Sequence, residues 1–116
     1  MIVVDVFLFR KLDVEYEYIY INGDLDIDKI MHKEKRKHMF SANVKDMEIL
    51  APENAFQLKD FRESKFYDYS SGNPESRNRY ILVISRSGEI TKVLFEPKEE
   101  LIEGVYLLAP RKVIRK

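Results

Sequence analysis

Between Tyr16 and Pro52 the chain alternates apolar and polar residues with a period of two, interrupted by turn residues. That periodicity restricts it to half-buried antiparallel strands. Val14, Tyr16, Tyr18 and Tyr20 fall on one face of the first strand, with Glu15, Glu17, Ile19 and Ile21 on the other. Asn22-Gly23 supplies the φ > 0 positions that a tight hairpin needs. The return strand sets Leu25, Ile27 and Met31 on one face against Asp24, Asp26 and Asp28 on the other. Ile30 falls outside the alternation and predicts a bulge or strand end near Lys29. The stretch is a β-meander.

Further along, His32 to Lys37 (HKEKRK) reads as a basic turn or strand edge, and Met39 to Val44 as a third strand. Met47, Ile49 and Leu50 form a short fourth strand stopped by Pro52. The pattern from Glu53 to Lys65 is mixed, and fits a short helix or a packed loop carrying Ala55, Phe56, Leu58 and Phe61. Phe66 to Tyr69 reads as a strand, and Ser70 to Arg77 as a polar loop. Arg79 to Ser85 and Glu89 to Phe95 make a hairpin through Arg86-Ser87-Gly88. Leu101, Ile102, Val105 and Leu108 recur at helical spacing, which predicts an amphipathic helix from Pro97 to Ala109. Gly104 inside it costs about 1 kcal/mol relative to Ala, or lets the helix approach the sheet closely. The predicted class is α+β: a bent antiparallel sheet or split barrel of about six to seven strands, capped by a C-terminal helix. One domain spans 1–116, with no repeat or linker.

Twenty basic and twenty acidic residues cancel, which excludes nucleic-acid binding by bulk charge but leaves room for a local patch. The chain has no cysteine, so disulfides, thiolate zinc sites and cysteine nucleophiles are excluded, in keeping with a reducing cytoplasm. No basic region precedes the first apolar run as a signal peptide requires. Ile2 to Phe9 is far short of the ~20 residues that span a bilayer as a helix. Residues 1–12 therefore read as an N-terminal strand, an interfacial segment or the end of a membrane anchor.

Three runs carry a family resemblance: Tyr18-Ile19-Tyr20-Ile21-Asn22-Gly23-Asp24-Leu25-Asp26-Ile27-Asp28-Lys29, Lys35-Arg36-Lys37, and Val44-Lys45-Asp46-Met47-Glu48-Ile49. With the closing helix they resemble a bacterial pleckstrin-homology-type domain. The chain is also similar to an uncharacterised family of small bacterial proteins in which a membrane anchor precedes such a domain; there a Phe-Glu-Pro, here Phe95-Glu96-Pro97, stands before the last helix. The resemblance covers Glu15 to Val113 except Glu53 to Arg77. It implies the fold and brings no activity, because pleckstrin-like folds host lipid-binding, peptide-binding and architectural roles.

Asp24, Asp26 and Asp28 open like a calcium loop, but the sixth and twelfth positions hold Lys29 and Lys35 where Gly and Glu are required. The three aspartates are read as a salt-bridged face, with a small acidic enzyme or metal site as the alternative. His32, Lys33, Lys35, Arg36, Lys37 and His38 form the dense basic cluster. Of these, Lys33, Lys35, Arg36 and Lys37 are the candidates for contact with an anionic partner. Near an anionic membrane each such residue adds about 1 kcal/mol. The competing role is to keep a sheet edge soluble by pairing with the aspartates. Tyr16, Tyr18 and Tyr20 are expected to pack as a ladder, since Glu15 and Glu17 beside them would repel a nucleic-acid backbone. No nucleophile elbow, phosphate loop or zinc motif is present, and no cofactor is implied. The expected function is a non-catalytic interaction or scaffold module at the cytoplasmic membrane face, its partner an anionic membrane surface or a protein. The alternative is a module that binds a peptide or forms a homo-oligomer by pairing sheet edges.

Overall fold

Residues 2–9, 14–32, 34–63 and 65–115 are described by a computed structural model. Strands β1 (Ile2–Phe9), β2 (Val14–Ile21), β3 (Asp24–Met31) and β4 (Lys35–Asn43) form an antiparallel sheet in chain order. Asn22 and Gly23 both have positive φ, 45° and 98°, so the β2–β3 turn has the twist that a two-residue hairpin demands. Ile2–Phe9 is thus a strand, paired to β2 along its whole length.

The second sheet contains β5 (Met47–Pro52), β6 (Lys65–Asp68), β7 (Tyr80–Arg86) and β8 (Glu89–Phe95), ordered β5-β7-β8-β6. The α+β class holds, with eight strands among the described residues rather than six to seven. Nor is every pairing antiparallel, because β6 runs parallel to β8. The reason lies in the Glu53 to Lys65 segment. Its 3-10 turn (Phe56–Asp60) crosses the outer face of the second sheet, where Leu58 is buried among Ile49, Ile81, Val83 and Leu94. That crossover returns the chain in the direction in which it left β5.

Between the sheets, Tyr18, Tyr20 and Ile27 meet Leu82, Val93 and Phe95. Helix α1 (Glu99–Leu108) closes this core with Leu101, Ile102 and Val105. The Tyr20 hydroxyl donates to the Gly104 carbonyl at 3.2 Å, tying the helix to the first sheet. The tyrosine ladder is packed: Tyr18 and Tyr20 are fully buried. The irregularity expected near Lys29 lies instead on the neighbouring strand. Ile27 pairs with Phe40 and Asp28 with His38, leaving Met39 as a bulge in β4 while β3 runs unbroken to Met31.

Candidate functional site

The basic cluster is divided by strand alternation. β4 begins at Lys35, so Lys35, Arg36 and Lys37 lie on an edge strand rather than in a turn, and successive side chains leave opposite faces. Lys33 lies outside the described residues. Of the four candidates, Arg36 points to the outer face, where its guanidinium reaches Glu17 at 2.5 Å and Asp28 at 2.8 Å. Cross-strand attraction fixes this choice, since the carboxylates of β2 and β3 stand on that face.

The outer face is a polar ladder between β3 and β4. Asn43 donates to Asp24 at 2.7 Å, Ser41 donates to Asp26, and His38 Nδ1 lies 2.9 Å from Asp28. His38 Nε2 stands 2.8 Å from the Ser41 hydroxyl, joining two rungs. Burial pushes the Asp28 carboxyl up, but hydrogen bonds from Arg36 and His38 outweigh it and hold it below the usual carboxylate range. The same bonds to Glu17 and Asp28 raise the Arg36 guanidinium further above its ordinary value. Each aspartate therefore has its own partner across the strand. Among the described residues no group of three or more His, Asp or Glu side chains is placed to hold a metal ion.

The core-facing side of the same sheet end is different. Lys29 pairs directly with Lys37, and Lys35 stands opposite Met31 at the adjacent same-face position. Among the described residues no carboxylate lies within ion-pair distance of Lys29, Lys35 or Lys37. Tyr16 is the β2 partner of Lys29, and its ring meets Tyr69 edge-on at 5.7 Å. Tyr67 stacks on Tyr69 at 5.9 Å and 8°. Met39, Phe40, Tyr67 and Arg86 line a recess between the edges β4 and β6. The site is a lysine row beside an aromatic recess, on two packed four-stranded sheets with a capping helix.

A family model of a bacterial PH-like domain, DUF6106, matches residues 1–115. The chain belongs to this family. Among curated proteins and among solved structures nothing matches. The PH-like expectation from the Asn22-Gly23 hairpin and the last helix is therefore met, and the match extends across the Glu53 to Arg77 segment that the resemblance left out. Among the described residues of this PH-like domain no helix is long and apolar enough to cross a membrane. The sequence reading missed Lys29 as a site residue. Its signal was present, because Lys29 shares the odd-numbered face of β3 with Leu25 and Ile27, but the β4 register was needed to set Lys37 opposite it.

Proposed function

We propose that this PH-like domain is a non-catalytic interaction module that meets an anionic membrane surface at the cytoplasmic face, through Lys35 and Lys37 of β4 with Lys29 of β3. The Lys29–Lys37 pair carries the reading. Like charges directly opposite in a sheet are destabilising, and here no carboxylate among the described residues offsets them. An external anion would. Tyr67, exposed beside the recess, suits the same boundary, with an apolar ring body and a polar tip. Arg36 is left out because Glu17 and Asp28 already hold it.

Co-sedimentation with phosphatidylserine-rich vesicles, compared with neutral ones at low and high salt, tests this. Binding is expected only to the anionic vesicles, and loss at high salt. Lys35→Glu with Lys37→Glu should weaken it by more than about 30-fold, from about 1 kcal/mol per lysine. Arg36→Gln should leave it within a few-fold. Failure of the native chain to bind anionic vesicles at low salt ends the proposal.

A further inference from the structure

A recess of about 690 Å³ opens between the β2–β3 turn and the C-terminal end of α1. It lies at the Asp24–Asn43 end of the β3–β4 ladder, five residues or about 17 Å from the Lys29–Lys37 pair. Val44 and Leu108 give it apolar lining, and Leu108 remains 57% exposed. Three cations line the same recess. Lys45 comes from the 3-10 turn Val44–Asp46, and Arg111 with Lys112 from the 3-10 turn Pro110–Lys112. Among the described residues none of the three has a carboxylate within ion-pair distance. By contrast Arg36, Lys65, Arg79, Arg86, Lys92 and Arg115 each have one. Cations beside a helix C-terminus complement its macrodipole, but that end offers only about half a negative charge, against three cations here.

We propose that this recess docks an acidic peptide segment of a protein partner, one that carries an apolar side chain between carboxylates. Charge complementarity chooses the occupant. Lys45, Arg111 and Lys112 require carboxylates that the described residues do not supply. Leu108 among them requires an apolar group that removes it from water. A simple anion would answer the charge and leave Leu108 exposed, and an uncharged apolar segment would do the reverse. Shape decides between a chain and a bilayer. A single extended chain enters a concave recess between two turns, whereas a bilayer presents a broad face. Exposed ion pairs contribute little each, so the contact is weak, and its selectivity comes from demanding both kinds of group together. The separation from the Lys29–Lys37 pair leaves both surfaces open to simultaneous use. The inference goes beyond the lipid contact and does not rest on it.

Phage-displayed random dodecapeptides panned on the immobilised native chain test it. Recovered sequences should be enriched in Asp and Glu flanking Leu, Ile or Phe. A synthetic copy of the most frequent sequence is then followed by fluorescence anisotropy. It should bind at least about tenfold more weakly to Lys45→Glu with Arg111→Glu, both exposed positions. Leu108→Ser should weaken it at least about threefold. Lys35→Glu with Lys37→Glu should leave it within about twofold at 0.15 M salt, so the peptide site stands or falls apart from the lipid contact. Recovery of no acidic sequence overturns the proposal, as does binding that survives Lys45→Glu with Arg111→Glu. A chain that selects no acidic peptide but loses phosphatidylserine-rich vesicles on Leu107→Ser with Leu108→Ser overturns it too, and makes the patch a bilayer contact.

Discussion

The hydroxyl of Tyr18 in β2 donates to the main-chain oxygen of Tyr69, a separation of 51 residues. The Tyr18 hydroxyl oxygen in turn accepts the Glu96 N–H at 3.3 Å, and the Tyr18 ring packs edge-on against Phe95 at 5.4 Å and 78°. One fully buried side chain thus joins the first sheet to the segment after β6 and to the end of β8. Buried polar groups are costly when left without a partner. Tyr18→Phe keeps the ring and removes the oxygen, depriving the Tyr69 carbonyl and the Glu96 N–H of it together. The expected loss is about 1–3 kcal/mol by urea unfolding. A loss within error would mean that water replaces the hydroxyl.

Gly23 tests the other end of the same strand. Its φ is +98°, and a Cβ built on it would stand 3.3 Å from Leu108 Cδ1. Gly23→Ala should therefore destabilise the domain by about 1–2 kcal/mol, chiefly through the backbone. Shortening the neighbour with Leu108→Ala should recover only a minor part of the Gly23→Ala cost in a double-mutant cycle. Full recovery would assign the cost to the clash alone.

Local chemistry made much of this legible. Asn22-Gly23, the alternation of Tyr18 and Tyr20, and the helical recurrence of Leu101, Ile102 and Val105 each act within a few residues. The sequence therefore placed β2, β3 and α1 on its own. What it hid depends on register between distant segments. Lys35, Arg36 and Lys37 are one cluster in the chain and two groups in space, because β4 sends Arg36 to the carboxylates and the lysines away from them. The parallel β6 was hidden for a similar reason, although one sign was readable. Tyr80 to Ile84 is apolar without alternation, and every one of these residues is buried. A strand buried on both faces needs a cover on each, and Leu58 with its 3-10 turn supplies the second.

Asp28 gives a pH dependence of known sign. Its carboxyl is burdened by burial, but the hydrogen bonds from Arg36 and His38 prevail, so its folded pKa lies below the unfolded one. Stability from this group is complete above the unfolded value near pH 4 and fades as pH falls through the folded value. Asp28→Asn removes that titration. The stability gap between native and variant should be widest at pH 6–7 and narrow steadily below about pH 4. A gap that stays constant down to pH 2 would mean that the ionised carboxylate contributes nothing specific.

Lys29 separates a functional lysine row from a merely tolerated one. Lys29→Glu turns the opposed pair Lys29–Lys37 from repulsion into attraction across the strands. Stability should rise, by roughly 0.2–1 kcal/mol at low ionic strength, and the gain should shrink as salt screens the exposed Lys37. Binding to phosphatidylserine-rich vesicles should fall in the same variant, because two charges of the row are lost at once. A lysine kept for solubility alone would show the gain in stability with no change in binding. Opposite movement of the two measurements on one substitution is what a site that accepts instability in exchange for a ligand must give.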